Sequence, residues 1–205
     1  MQVTVIAPHP DDEVLGCGGA IMTHVAAGDE VSSIFLSSGE LGLKHMPKEK
    51  AWAVREAEAK RAAAILEVQR LHFVRGPDWQ LNDAVAELSL TLAEIFAGTS
   101  PELIYVPHPL DQHPDHQASL PIVQRALESL GRSRPMIRAY EVWTPLQEHD
   151  VVCDISPVMS RKKRALQAHH SQLEYFDYLQ GIEGLNAYRG ALSGRCKYAE
   201  VFLRI

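Results

Sequence analysis

Cysteine is scarce in this sequence, with only Cys17, Cys153 and Cys196 among 205 residues. The number is odd and no Cys-x-x-Cys spacing occurs, which argues against a disulfide framework and suits reduced thiols in a cytoplasmic protein. Basic charge is also in deficit: 20 Lys and Arg stand against 26 Asp and Glu, a net charge of −6. Such a chain sets up no field that draws nucleic acid or another polyanion. No apolar run approaches the roughly 18 residues of a membrane span, and no basic N-terminal segment leads into a long apolar core, so an unexported chain without a membrane span is expected. Low-complexity linkers, charge blocks and internal repeats are lacking too, which points to one domain over residues 1–205. The 46% of hydrophobic residues are enough to bury a substantial core at this length.

The chain opens with Val3–Ala7, a β-branched run without alternation, as expected of a strand covered on both faces. A glycine-rich stretch, Gly16 to Gly19, precedes a helical segment over 20–27 that Gly28 should stop as its C′ residue. Strands over 31–36, 71–74 and 103–106 then alternate with helices over 48–66, 82–96 (Asn82 as N-cap) and 117–130. Further strands are expected over 136–142 and 151–155, and a helix over 157–170. Beyond Ser171 the pattern loosens, but Tyr175, Phe176, Tyr178, Tyr188 and Tyr198 make this tail aromatic, so it should pack onto the domain. Alternating strands and helices imply an α/β, Rossmann-like fold: a mostly parallel sheet flanked by helices, in the doubly wound order 3-2-1-4-5. In that order the loops after the first and fourth strands open onto one crevice.

Those two loops carry the chemistry. The first is Pro8-His9-Pro10-Asp11-Asp12-Glu13 and the second Asp111-Gln112-His113-Pro114-Asp115-His116. Neutral imidazole and carboxylate are ordinary zinc ligands, and a catalytic zinc usually keeps three protein ligands and one open position. His9, Asp12 and His116 would supply three. Adjacent aspartates cannot easily point the same way, so one can hold metal while the other faces water. The plainer reading gives Asp11, Asp12 and Glu13 to helix capping and dipole compensation, and Glu13 is assigned that role alone. His113 and His116, three apart, can face one volume from the first turn of a helix starting near Pro114, with Asp115 buttressing one of them. A two-histidine, one-carboxylate site also accommodates iron(II) or cobalt. The other seven histidines lack paired spacing and are expected to be structural or surface residues.

The paired motifs resemble those of the PIG-L/LmbE-like zinc-dependent de-N-acetylases, and the likeness extends through Gly39-Glu40, Arg55, Gly76-Pro77-Asp78 and Tyr198 to Phe202. The resemblance implies zinc on His9, Asp12 and His116, with Asp11 as general base. It gives His113, in its protonated form, the oxyanion or the leaving amine, and Asp115 the task of orienting His113. Glu40, Arg55 and Asp78 would meet the hydroxyl groups of an N-acetylated sugar or glycoconjugate, whose acetamide is hydrolysed to acetate and a free amine. One departure matters: some members carry an arginine or tyrosine where Asp111-Gln112 stands, so the oxyanion must be met by zinc and His113, or by a tail residue such as Tyr188.

Two rival readings fit less well. A dinucleotide-binding protein would use Gly16, Gly18 and Gly19, but Ile21 occupies the third glycine's place and three acidic residues would repel a pyrophosphate. Close helix-to-strand packing explains those glycines better. A non-catalytic metal- or sugar-binding module would need no second carboxylate beside the metal, unless Asp11 is a cap.

Overall fold

The computed structural model describes residues 1–131 and 135–205. In chain order the elements are β1 (Gln2–Ala7), α1 (Asp12–Ala26), β2 (Glu30–Ser37), α2 (Lys48–Leu66), β3 (Arg70–Gly76), α3 (Val85–Thr99), β4 (Leu103–Pro107), α4 (Pro114–Leu130), β5 (Met136–Tyr140) and β6 (Val151–Asp154). The last part adds α5 (Met159–Gln167), α6 (His170–Leu173), α7 (Tyr178–Arg189) and β7 (Ala199–Arg204). The seven strands of the described residues form one sheet in the order β3-β2-β1-β4-β5-β7-β6. The first five are parallel, as the βαβ rhythm requires, with Val3 opposite Val31 on one side and Leu103 on the other. Strands β1 and β4 are buried from Val3 and Leu103 onward because helices cover both faces, which is why their sequences run apolar without alternation.

Two apolar clusters lie on opposite faces of the sheet. One gathers Val5, Cys17, Ile21 and Leu166 beneath α1 and α5; the other gathers Ile6, Leu92, Phe96 and Ile122 beneath α3 and α4. The polypeptide reverses direction of winding between β1 and β4, so the ends of these neighbours, Ala7 and Pro107, deliver both acidic loops to one crevice.

Several boundaries differ from those expected. Helix α1 starts at Asp12, eight residues early, and Gly16, Gly18 and Gly19 lie inside it. Glycine is a poor helix former, but here contact overrides propensity: a Cβ on Gly16 would stand 2.1 Å from Tyr140 Cδ2, and one on Gly19 2.1 Å from Ile155 Cγ2. The glycines thus serve close packing rather than phosphate. Helix α4 begins at Pro114 instead of Gln117, and Asn82 sits in a 3₁₀ turn (Leu81–Ala84) that precedes α3 instead of capping it. Strand β5 stops at Tyr140, and the helix expected over 157–170 breaks after Gln167 into α5 and α6.

The tail does pack onto the domain, and it also contributes a strand that periodicity did not reveal. β7 enters antiparallel between β5 and β6, with Arg138 opposite Arg204 and Cys153 opposite Glu200. Glu200 breaks the apolar run because it is a buried working group. Its carboxylate accepts from the Gly19 and Ala20 backbone N–H groups, 2.7 Å each, and from Lys162 Nζ at 2.7 Å. Lys162, wholly buried, also donates to Leu15 O and Asn186 Oδ1. A buried ion pair so fully hydrogen-bonded ties α1, α5, α7 and β7 together, and removing one partner of such a pair costs about 3–5 kcal/mol.

Candidate active site

The loop from Pro8 to Asp11 turns sharply into α1, and Asp11 bears the cost with φ at 134°, a conformation that side chains rarely adopt. Asp11 occupies the N-cap position but makes no side-chain cap bond. Glu13 takes over instead: its Oε2 accepts the Asp11 backbone N–H at 3.0 Å. Burial, with Asp11 and Asp12 nearby, pushes the Glu13 carboxyl up to about 8. The capping explanation therefore suits Glu13 and fails for Asp11, whose carboxylate lines the cleft with Arg55 Nη2 at 3.3 Å.

The three expected ligands come together. Asp12 Oδ2 stands 3.2 Å from His9 Nδ1 and 3.3 Å from His116 Nε2. Ligand atoms about 2.0–2.1 Å from a tetrahedral metal are about 3.3 Å from one another, so Asp12 stands at ligand-to-ligand spacing from each of the two histidines. His116 supports the fit independently, since it is wholly buried and neither ring nitrogen has an aligned hydrogen-bond partner despite carboxylate oxygens at 3.3 Å. Among the described residues, the sets whose ligand atoms all lie within 4.8 Å of one another are His9, His113 and His116, and His9, Asp78 and Asp115. The hydrogen bonds argue for the Asp12 set. His9 Nε2 is engaged by Asp115 Oδ2 at 3.0 Å, which leaves Nδ1 facing Asp12, and His113 Nδ1 is engaged by the Asp115 backbone N–H at 3.2 Å.

Electrostatics point the same way. Asp11, Asp12, Asp78, Asp111 and Asp115, all buried, crowd two imidazoles and one guanidinium. Burial opposes a charge on His116, yet Asp12 and Asp111 lift it to about 9. Burial likewise opposes a charge on Asp12, yet His116 and His9 hold its carboxyl well below the usual range. An imidazole that must take a proton to balance its neighbours occupies a place suited to a divalent cation.

Asp115 corrects an expectation. Its carboxylate orients His9, and also accepts the Trp79 and Leu81 backbone N–H groups at 2.7 and 3.1 Å; it reaches His113 only through its main chain. The first turn of α4 aims this wholly buried side chain at the His9 ring and the Trp79–Leu81 backbone. As N-cap, His113 accepts on Nδ1, so its neutral ring carries the proton on Nε2. Burial beside His9 and His116 holds it down to about 4, so the expected protonated His113 gives way to a neutral donor.

Among the expected hydroxyl-binding residues, Arg55 and Asp78 line the cleft and Glu40 does not. Glu40 is turned to Trp52 Nε1 at 2.8 Å and Lys48 Nζ at 3.2 Å. Arg55 is committed to protein groups, donating to Gly39 O, Pro10 O and Asp11 Oδ2. Asp78 accepts from Leu41 N–H through Oδ2, while Oδ1, 3.2 Å from His9 Nε2, receives no aligned hydrogen bond because that N–H goes to Asp115. Tyr188 lies 56% exposed and off the cleft, so it is no oxyanion partner; Tyr178 lines the cleft instead.

Sequence reasoning noted Asp111 only as a departure, but it is part of the site. Wholly buried, it places Oδ1 3.3 Å from His116 Nδ1 and accepts the backbone N–H groups of His113, Trp143 and Thr144. A carboxylate five residues before the expected ligand His116 was the available signal, since ligand histidines commonly present their second nitrogen to a carboxylate. Asp111→Asn is expected to weaken divalent-metal affinity by roughly 10–100-fold, read by competition with a chelator, while melting temperature changes little. Unchanged affinity would remove Asp111 from the metal's support. Arg55→Gln addresses a different link: losing the guanidinium beside Asp11 raises the carboxyl's pKa, so the acid limb of the kcat/KM profile should move to higher pH. A change confined to KM would return Arg55 to the sugar-binding role expected of it.

The cleft around these groups, about 400 Å³ in volume, is of ordinary size for a small-molecule site. Comparisons with known proteins agree with its chemistry. A family model described as "PIG-L: GlcNAc-PI de-N-acetylase" matches residues 4–127. A diacetylchitobiose deacetylase of Thermococcus kodakarensis is 29% identical, the match covering 97% of this chain and 81% of that protein. A Bacillus cereus protein named "Probable N-acetyl-alpha-D-glucosaminyl L-malate deacetylase 2" is 32% identical over 84% of each chain. Among solved structures, the conserved protein TT1542 of Thermus thermophilus superposes with a TM-score of 0.86 at 28% identity, covering 100% of this chain and 94% of its own.

Proposed function

The chain belongs to the PIG-L family, and from that membership we propose that it hydrolyses the acetamide of an N-acetylated sugar or sugar conjugate, releasing acetate and a free amine with the help of a divalent metal. The observation that carries this reading is the position of Asp12 Oδ2, 3.2 Å from His9 Nδ1 and 3.3 Å from His116 Nε2, beside an Asp11 carboxylate that no helix cap occupies. The metal we favour is zinc, which two imidazoles and a carboxylate suit; iron(II) or cobalt are accommodated by the same set. A divalent ion held there supplies Lewis acidity, making water a proton donor near pH 7 and withdrawing charge from a carbonyl oxygen.

The chain's own residues do the rest. Asp11 accepts the proton that water loses on attacking the acetyl carbonyl, while Arg55 keeps that carboxyl from being driven still higher by burial. Neutral His113 offers its Nε2–H to the carbonyl oxygen as negative charge gathers there, a contact whose loss typically costs about 3 kcal/mol of transition-state stabilisation. Asp11 returns the proton to the sugar nitrogen as the carbon–nitrogen bond breaks. Asp115 and Asp111 keep the His9 and His116 rings in place throughout. Asp78 Oδ1 is left at the cleft edge as an acceptor for a sugar hydroxyl.

No helix among the described residues is long and apolar enough to cross a membrane. Three free thiols fit a reducing, cytoplasmic setting for the reaction. The test is amine release from a panel of N-acetylated sugars by protein loaded with zinc, iron(II) or cobalt. The expected result is turnover of at least one sugar, abolished by a chelator and restored by metal. Turnover that a chelator leaves untouched would sink the metal-dependent reading, and no release from any sugar would sink the deacetylase reading.

A further inference from the structure

Beside the catalytic cleft lies a second one, also about 400 Å³, which shares Leu15, Trp143, Phe176 and Tyr178 with the first and has Val142 and Leu185 in its far wall. The shared residues form a ridge common to both spaces. Three of them are aromatic and mutually packed, with ring centroids 5.5 Å apart for Trp143 and Phe176, 5.4 Å for Phe176 and Tyr178, and 5.9 Å for Trp143 and Tyr178. The cluster is nevertheless open to solvent: Phe176 is 52% and Trp143 44% exposed. The second cleft is lined mainly by apolar side chains, and its acids are already engaged. Its buried acid, Glu141, takes both Arg189 Nε and Nη2 and the Leu146 N–H, and Asp177 is turned to cap α7 through the Gln180 N–H.

We propose that the second cleft is a subsite for an apolar aglycone, an alkyl or aryl group attached to the N-acetylated sugar, which crosses the aromatic ridge while the acetamide sits at the metal ligands. The proposal rests on the deacetylase reading of the first cleft. Continuity makes the occupant part of the substrate, since any separate molecule filling this space would abut the sugar across the shared ridge. The chemistry makes it apolar. A second sugar ring brings several hydroxyls that must exchange water for protein partners, and the one buried acid here is spent on Arg189 and Leu146. Hydrocarbon asks for none, and gains from leaving water in proportion to the area covered.

Methyl, butyl and hexyl β-glycosides of N-acetylglucosamine, with N,N′-diacetylchitobiose for comparison, would test this. Each is assayed as a substrate of the metal-loaded enzyme and, by calorimetry, as a ligand of the metal-free protein. The expected result is that kcat/KM and the association constant rise together, by roughly two- to fourfold for each buried methylene. Leu185, which lines only the second cleft, supplies the control: Leu185→Asn should remove most of the hexyl gain and leave the methyl glycoside unchanged. Val142→Thr, nearly isosteric, should do the same in smaller measure and serves if Leu185→Asn does not fold. Equal constants for methyl and hexyl glycosides would overturn the subsite, as would a hexyl gain that survives both substitutions. Preference for diacetylchitobiose over the hexyl glycoside would overturn it in favour of a second sugar. Chain-length-dependent binding with no turnover of any glycoside would uphold the subsite and sink the deacetylase reading.

Discussion

Asp11→Asn is expected to retain about one metal ion per chain while kcat falls by roughly 10²–10⁴, the usual contribution of a positioned proton acceptor. The substitution is well posed because the structure separates what Asp11 does from what holds it. Its backbone, at φ 134°, is fixed by the Glu13 carboxylate on its N–H and by Arg55 on the preceding carbonyl, and none of these contacts uses the Asp11 side chain. Asparagine tolerates positive φ better than most residues, and its amide oxygen can still face Arg55 Nη2. What it cannot do is take a proton from water. Metal content by elemental analysis, beside kcat for amine release, reads both halves. Near-complete kcat would remove Asp11 from the chemistry, and loss of metal would exchange its role with that of Asp12.

Asp12→Ala should behave in the opposite way, losing most of the metal and, with it, nearly all activity at metal concentrations that saturate the unmodified enzyme. Asp12 Oδ2 gathers the site. It faces both ligand imidazoles and also accepts the His9 backbone N–H at 2.9 Å, so its removal takes away a ligand, a negative charge and the clamp on the His9 loop together. Two imidazoles alone make a poor site for a divalent ion. The competing set of His9, His113 and His116 predicts otherwise, since none of its members is altered. An Asp12→Ala protein that still binds one ion per chain with undiminished affinity would transfer the metal to that set and take His113 out of its role as hydrogen-bond donor.

The sheet and the meeting of the two motifs were legible in the sequence because they rest on strong local signals. Val3–Ala7 is β-branched and largely apolar, Leu103–Val106 is apolar throughout, and each ends within about five residues of the first aspartate of its cluster. What lay hidden was decided by contacts distant in sequence. Gly16, Gly18 and Gly19 read as a helix breaker until Tyr140, Lys162 and Ile155 fill the space that their missing side chains leave. Glu200 disguises β7, since a carboxylate amid apolar residues gives no sign of the lysine 38 positions away that it meets. The direction of the Asp115 carboxylate, toward His9 rather than His113, depends on how the start of α4 meets the loop after β1, and spacing along the chain does not encode that placement. The partners of Glu40 were hidden for a similar reason, since nothing in its own motif points to Trp52 and Lys48 on α2.

The place of β7 bears on the order in which a newly made chain acquires its activity. Every proposed ligand and catalytic group lies within the first 116 residues, so a nascent chain carries the full set of reactive side chains long before synthesis passes Arg204. Until then β5 has an unpaired edge, β6 has no neighbour through which to join the sheet, and the backbone of α1 at Gly19 and Ala20 lacks its Glu200 partner. The helix that begins at Asp12 is thus secured by a strand some 180 positions further along the chain. A nascent chain that has not yet emerged past Glu200 has α1 without its anchor to β7 and without the buried partner of Lys162.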